Sequence, residues 1–484
     1  MLLDDGRWTG KINLAGWRAG SGGTQPVIEP ATGDALGNVG LASAGDVYEA
    51  TNTAARAQRE WAGTPPAERA AVLRRAGELW MQHRAEIKDW IVREAGSVPA
   101  KAALETDTAS GICYEASALP THPQGEVLAS AESRWSFARR RPAGVVSVIA
   151  PFNFPLILSI RSVAPALALG NAVVLKPDPR TAVCGGVALQ RIFEEAGLPE
   201  GLLQLVPGAG DVGAAVVDAP EVSVISFTGS TATGRKIGET ASRLLKRVHL
   251  ELGGNNALVT LPDADVKQAA SAGAFGSFNH QGQICMTTGR HLVHESIAEE
   301  YRSILADTAT GLSVGDPALN PVALGPIIDA GQLEHVDTLV REGLASGDRL
   351  LAGGTAEAPY YPPTVVACAD TNSPVWRQEA FGPVAPIVTY SDLDEAARIV
   401  NDSEYGLSVG ILGDTGQAMR LADQLDSGKI HINEQTVSDE PNVPFGGVKD
   451  SGNGSRFGGA AANIEAFTET QWLTMRSAIA EYPF

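Results

Sequence analysis

Cys285 stands alone in the run Phe278-Asn279-His280-Gln281-Gly282-Gln283-Ile284-Cys285-Met286, with no nearby cysteine to pair with it or share a metal. A thiol attacks a carbonyl as the thiolate, so it needs a site that lowers its pKa or a base that takes its proton. Lacking both, it is a small buried apolar residue, as most free cysteines are. Two other stretches hold groups that could complete a reactive site. Asn153, in Pro151-Phe152-Asn153-Phe154-Pro155, is a side-chain amide on a loop stiffened by proline at both ends. Such an amide can donate to a developing oxyanion, a contact worth ~2.7–4 kcal/mol in catalysis; otherwise it satisfies its own turn. Glu251 heads Glu251-Leu252-Gly253-Gly254, whose glycines let a ligand or a second backbone approach closely. A partly desolvated carboxylate there can take a proton from thiol or water. The plainer alternative is an ion pair with His249 or a lysine.

A second set of residues suits a phosphate-bearing cofactor. Lys176 ends the apolar run Val173-Val174-Leu175 and precedes Pro177, where a fixed cation could meet a ribose hydroxyl or a phosphate. Phe227-Thr228-Gly229-Ser230-Thr231-Ala232-Thr233-Gly234 offers backbone N–H groups and the start of a helix, both suited to an anion. Gly208-Ala209-Gly210-Asp211-Val212-Gly213 is a literal GxGxxG, a weak signal alone. No acidic residue follows at the usual offset of ~20; Thr228 and Gly229 stand there instead, so this loop reads as a secondary contact.

These residues need elements to hold them. Between residues 144 and 254, strand-like runs at 145–150, 172–176, 202–206, 222–228 and 248–251 alternate with helical segments at 159–169, 181–196, 210–219 and 233–245. That alternation predicts a doubly wound parallel sheet with its ligand site beyond the carboxyl ends of the strands. Residues 255–453 repeat the style, with helices at 265–278 and 392–401 and strands at 384–390, 407–412 and 429–433, so a second α/β domain is expected. Residues 1–45 read as an irregular arm with short strand-like pieces such as Val27-Ile28-Glu29, followed by helices from 44 to about 114 in which Asp46 caps the first. Weakly alternating, charged residues at 121–141 read as a projecting hairpin that the strand-like run 467–474 could join.

Composition narrows the function. A chain of 484 residues is too long for one core. The formal net charge of -19 opposes binding to nucleic acid or to an anionic membrane surface. The uncharged stretch 142–160 has nearly the length of a membrane span, but Pro151, Asn153 and Pro155 interrupt it. Cys113, Cys184, Cys285 and Cys368 are widely spaced, with neither CxxC nor a Cys/His cluster. No metal site is expected, and a reducing cytoplasm fits better than an oxidising compartment. Met1-Leu2-Leu3-Asp4-Asp5 does not read as a signal peptide.

Taken together, the Asn153, Phe227–Gly234, Glu251 and Cys285 segments resemble the NAD(P)-dependent aldehyde dehydrogenase superfamily. Gln378-Glu379-Ala380-Phe381-Gly382-Pro383-Val384 and Pro444-Phe445-Gly446-Gly447-Val448-Lys449-Asp450-Ser451-Gly452 add to the likeness, which runs from about residue 25 to about 473. The resemblance implies a cofactor domain at 1–120 and 143–253, a catalytic domain at 254–453, and a small β oligomerisation flap at 121–142 and 465–484. It implies that Cys285 is the nucleophile, Asn153 and the Cys285 N–H the oxyanion donors, and Glu251 the general base. Ile149, Phe152, Lys176, Gly210, Gly213, Phe227, Gly229, Ser230, Leu252, Glu379 and Phe381 would hold NAD, with NADP as the possible second cofactor.

Lys176-Pro177-Asp178-Pro179-Arg180-Thr181 and the segment from His280 to Arg290 look most like the benzaldehyde and vanillin dehydrogenase branch. Phe154, Ile284, Met286 and Phe445 would then form an apolar pocket for a flat ring, and a homodimer or homotetramer is expected. An aliphatic or semialdehyde dehydrogenase, or a non-catalytic cofactor-binding or structural homologue, are the alternatives. Two departures from the family pattern stand out. Pro179 replaces the glutamate that usually holds the adenosine ribose and repels a 2′-phosphate. Ser162 and the Gly454-Ser455-Arg456 segment replace the lysine and glutamate of an accessory proton relay to Glu251.

Overall fold

The computed structural model describes residues 1–484. The strands Val145–Ile149, Ala172–Lys176, Asn256–Thr260 and Ser408–Leu412 are buried at every position. Such largely apolar, fully buried runs form parallel strands with both faces covered, and they lie in the interiors of two seven-stranded sheets. In the first sheet the order is Arg247–Glu251, Val222–Thr228, Val145–Ile149, Ala172–Lys176, Leu203–Leu205, all parallel. The strand that comes first in sequence therefore sits between the second and the fourth. The crevice where the winding reverses lies between the loops that follow Ile149 and Thr228, the place where doubly wound sheets take ligands.

The second sheet runs Arg349–Ala352, Thr364–Ala367, Val384–Tyr390, Thr288–His294, Asn256–Thr260, Ser408–Leu412, Lys429–Ile432. Only Arg349–Ala352 is antiparallel to its neighbour.

The amino-terminal segment is more ordered than an irregular arm. Lys11–Asn13 and Trp17–Ala19 pair antiparallel and extend the first sheet beyond Leu203–Leu205, and Thr24–Ile28 pairs with Ala35–Gly40. The strand-like piece at Val27-Ile28-Glu29 overlaps Thr24–Ile28, whereas the three-residue strands leave no periodicity to read and only tertiary pairing reveals them. The cap of helix Ala44–Gly63 is also displaced: Ser43 is the N-cap, and Asp46 completes a capping box with it.

Helix Pro155–Ala168 starts before residue 159, with Pro155 in the first turn, where a missing N–H costs nothing. The segment expected as one helix over 181–196 is broken into a 3₁₀ turn Pro179–Thr181, a π turn Val183–Val187 containing Gly185 and Gly186, and helix Ala188–Glu195.

Thr468–Met475 pairs along its length with Trp135–Pro142, which also pairs with Gly125–Val127. The hairpin and the carboxyl-terminal strand thus form one three-stranded antiparallel sheet. Arg139, Arg140 and Arg141 lie inside the Trp135–Pro142 strand, with Arg139 bonded to Gln471 and Arg140 paired with Glu465. No helix is long and apolar enough to cross a membrane.

Candidate active site

Helix Val266–Phe278 ends in a turn that carries the chain to Cys285 through unusual backbone. His280 and Gln281 hold φ of +49° and +56°, values that cost a residue with a side chain and persist only where the surroundings enforce them. The enforcement is visible. Gln281 Nε2 donates to the carbonyls of Gly96 at 3.0 Å and Pro326 at 2.8 Å, and Gln283 Oε1 accepts from the Ile328 N–H at 3.0 Å. Gly282 is obligatory, because a Cβ there would lie 2.0 Å from the Gly382 carbonyl oxygen. Asn256 Nδ2 donates to the Cys285 carbonyl at 2.8 Å. From the opposite side, Asn153 Nδ2 donates to the Gln283 carbonyl at 2.9 Å. Asn153 and Cys285 line one cavity.

Glu251 closes the strand Arg247–Glu251, is buried, and neither of its carboxylate oxygens has a hydrogen-bond partner. It makes no ion pair with His249, whose ring bonds the Ala466 carbonyl and packs on Phe457. Burial holds the Glu251 carboxyl well above its ordinary range, partly opposed by Arg161 and Arg456. The Cys285 thiol is pushed up to about 12, by burial first and by Glu379 next; Arg161 and Lys429 pull the other way. A thiol so placed does not ionise unaided at neutral pH. A desolvated carboxylate is a stronger base than one in water, so the pair has the proton affinities that base-assisted attack requires.

The cavity, about 770 Å³, runs from Cys285 to Asp218 and Lys236 across the crevice of the first sheet. Ile149, Phe152, Lys176, Gly210, Gly213, Phe227, Gly229, Ser230, Leu252, Glu379 and Phe381 all line it. Their surroundings fit a dinucleotide. Near Cys285, Glu379 accepts the Gly254 N–H at 3.0 Å, and burial pushes its carboxyl up to about 7. Gly253 makes that approach possible, since a Cβ there would stand 2.2 Å from Glu379 Oε2. Further along, Ser230 caps helix Thr231–Arg243, presenting a helix N-terminus to the cavity. Lys176 lies beside Gly213 and is largely withdrawn from solvent, which lowers its ammonium pKa. Phe152 and Phe381 meet edge to face at 5.9 Å near the cysteine.

Ile284, Met286 and Phe445 pack together with Leu407, and Phe154 and Val437 lie against them. Two cations edge this cluster. The Arg161 guanidinium, paired with Asp439, is 4.3 Å from the Phe445 ring centre. Lys429 Nζ is 4.8 Å from the same centre and 3.2 Å from Met286 Sδ. At the positions of the missing relay, Ser162 Oγ meets Ser226 Oγ at 2.9 Å, and Arg456 turns to the carbonyls of Gly447 and Ser455. Pro179 lies in a turn capped by Asp178, whose carboxylate is gripped by Arg180 at 2.8 and 2.9 Å. Arg180 also reaches Asp329 at 2.6 Å.

Residues 17–473 match the model of the aldehyde dehydrogenase family. The chain belongs to that family. It is 62% identical, over the full length of both chains, to a vanillin dehydrogenase of an Amycolatopsis species. It is 47% identical to a benzaldehyde dehydrogenase [NAD(+)] of Pseudomonas putida, covering 99% of this chain and 98% of that one. A salicylaldehyde dehydrogenase of Pseudomonas putida G7, solved with salicylaldehyde, superposes with a TM-score of 0.94 at 33% identity, covering 98% of this chain and 99% of that one. As a member of this family the chain is an NAD(P)-dependent enzyme that oxidises aldehydes.

Several residues at the site escape sequence reasoning. Lys429 sits in a strand where an isolated lysine reads as solvated, and Asp439 lies in a loop without a motif. Lys101 and Glu105, which grip the Asn153 loop from helix Pro99–Ala118, have the spacing of an ordinary surface ion pair.

Proposed function

We propose that the chain oxidises an aromatic aldehyde of the benzaldehyde or vanillin type to the free carboxylic acid, through a covalent intermediate on Cys285. The observation that carries this reading is the meeting of a half-buried thiol and an amide donor at one cavity, with an apolar cluster packed against the thiol and a desolvated carboxylate whose charge acts on it. Relatives bearing vanillin, benzaldehyde and salicylaldehyde in their names support the choice of substrate.

Glu251 takes the thiol proton and Cys285 Sγ bonds to the carbonyl carbon, whose π electrons move to oxygen. Asn153 Nδ2 and the Cys285 N–H stabilise that oxyanion. Ile149, Phe152, Lys176, Gly229, Ser230, Glu379 and Phe381 are the residues that would hold the dinucleotide, which when bound supplies the hydride acceptor. Loss of the hydride leaves a thioester. Once Glu251 has released the thiol proton to solvent, its carboxylate removes a proton from water as the water attacks, and the Cys285 thiolate leaves. With Phe154, Ile284, Met286 and Phe445 walling the ring, Arg161 and Lys429 would stand where an oxygen substituent on it could meet a cation.

Rates on vanillin, benzaldehyde and medium-chain aliphatic aldehydes, each with NAD and NADP and without coenzyme A, test the proposal. Aromatic aldehydes are expected to give the higher kcat/KM and the free acid as product. A clear preference for aliphatic aldehydes would shift the assignment to an aliphatic or semialdehyde dehydrogenase. No reduced cofactor with any of them would favour a non-catalytic homologue.

We further propose that 1–120 with 143–253 binds the cofactor, that 254–453 supplies the nucleophile, and that the flap of 121–142 and 465–484 docks on another copy to form a homodimer or homotetramer. Val127, Trp135, Trp472 and Met475 support this, because all four are more than half exposed on the flap. Four free cysteines and no disulfide are in keeping with a cytoplasmic enzyme.

A further inference from the structure

Helix Pro155–Ala168 begins one residue after the Asn153-Phe154 pair and has no side-chain cap of its own. Its first N–H groups are buried and need acceptors. The residue at the cap position is Phe154, whose ring packs against His280 at 5.4 Å and against the Ile284–Met286–Phe445 cluster. An aromatic wall therefore occupies the place where a serine or aspartate would normally stand.

The cap comes from another helix. Glu105, on Pro99–Ala118, accepts the Leu156 N–H at 3.1 Å and the Ile157 N–H at 3.4 Å through Oε2. Its Oε1 accepts from Lys101 Nζ. Lys101 Nζ also donates to the Asn153 carbonyl at 2.7 Å and lies 4.3 Å from the centre of the Phe154 ring. The side chains of Lys101 and Glu105 are 1% and 0% exposed. Burying an ion pair costs several kcal/mol of desolvation per ion, so a pair kept in the interior is weak evidence for stability and better evidence for fixing one geometry. Here the geometry fixed is that of the backbone from the Asn153 carbonyl to the helix that follows.

We propose that Lys101 and Glu105 are positioning residues for the aldehyde oxidation: they hold the Asn153 amide where it meets the oxyanion formed on Cys285. The proposal rests on the role given above to Asn153. Lys101 fixes the Asn153 carbonyl and Glu105 fixes the helix start that follows, so the peptide plane after Asn153 is held against rotation. On the nucleophile side, the Gln283 carbonyl fixes the amide itself. Displacing a catalytic group by ~1 Å can cost about 100-fold in rate, which is the scale on which such a clamp matters.

The test is a double-mutant cycle on the full-length enzyme. Lys101→Met and Glu105→Gln are each combined with Asn153→Ala, and kcat, KM for NAD, KM for aldehyde and thermal midpoint are measured. Each clamp variant is expected to lower kcat by roughly ten- to a hundredfold with KM for NAD within about twofold of wild type. Neither is expected to lower kcat further once Asn153→Ala is present, since a misplaced amide and a missing one are equivalent. Lys101→Arg, which keeps the charge and the donor, is expected to recover part of the loss. Clamp losses that multiply with that of Asn153→Ala, or full activity in folded clamp variants, overturn the proposal. An Asn153→Ala enzyme with wild-type kcat overturns instead the role of Asn153 on which it rests. Should Lys101→Met not fold, the milder Glu105→Gln carries the cycle, since its amide oxygen can still accept from Leu156.

Discussion

The Asn153 side-chain amide donates to the carbonyl of Gln283 at 2.9 Å, two residues ahead of Cys285. A primary amide has two donor hydrogens, and this contact uses one. The bond ties the loop after strand Val145–Ile149 to the turn that carries Cys285, leaving one N–H that, in the proposed reaction, would meet an oxygen bonded to the carbon under attack. Asn153→Ala is accordingly expected to lower kcat by roughly 10²–10³. Titration with NADH should show unchanged cofactor affinity. A kcat within a few-fold of wild type would remove Asn153 from the oxyanion site.

Cys285 is the only thiol on the cavity. Cys285→Ser is expected to abolish aldehyde oxidation while leaving NADH binding intact, because an alkoxide is far harder to form than a thiolate. Stopped-flow and steady-state rates of NADH formation read this directly. Near-normal turnover by the serine enzyme would exclude the covalent route.

Glu251 is held above the ordinary carboxylate range by burial. A base with a raised pKa is protonated, hence inactive, below that pKa, so the wild-type rate should fall with decreasing pH while ordinary carboxylates are still ionised. Glu251→Gln should lose this acid limb. It should also slow thioester hydrolysis more than hydride transfer, giving a burst of NADH about equal to enzyme followed by a slow steady rate. Because Glu251 also takes the thiol proton, the burst itself should form more slowly than in wild type; a burst at the wild-type rate would restrict Glu251 to the activation of water.

What could be read in advance followed from where chemistry sits on a doubly wound sheet. Asn153, Gly229 and Glu251 each lie at or just past the carboxyl end of a strand that the strand–helix alternation makes legible, so their convergence on one crevice follows from that alternation. Gly253 and Gly254 could be read as points of close approach, but not what approaches. Glu379 Oε2 and the Cys285 carbonyl do, and both come from the second sheet's domain. Lys101 and Glu105 were illegible for a different reason. Their i,i+4 spacing describes a solvated helix face as well as a buried clamp, and the partner that decides is the Asn153 carbonyl, 52 residues away. In the arm before residue 45 only the piece around Val27-Ile28 was legible as a strand, because three-residue pieces such as Lys11–Asn13 have no period.

Cofactor choice turns on Pro179 and its neighbours. A glutamate there would accept the ribose hydroxyls and repel a 2′-phosphate; proline does neither. Lys176 remains to attract a phosphate. Arg180 would too, but Asp178 and Asp329 hold it from both sides, leaving that trio with a net charge of one negative. The expected outcome is that NAD is preferred and NADP still used. Pro179→Glu should sharpen the preference by roughly tenfold, about 1.4 kcal/mol for one charge contact. Asp329→Asn, which frees Arg180 from one carboxylate, should move it toward NADP. The measurement is the ratio of kcat/KM for NAD over NADP in the three enzymes. A wild-type ratio beyond ~10⁴ that neither substitution changes would show that some other part of the cavity excludes the phosphate.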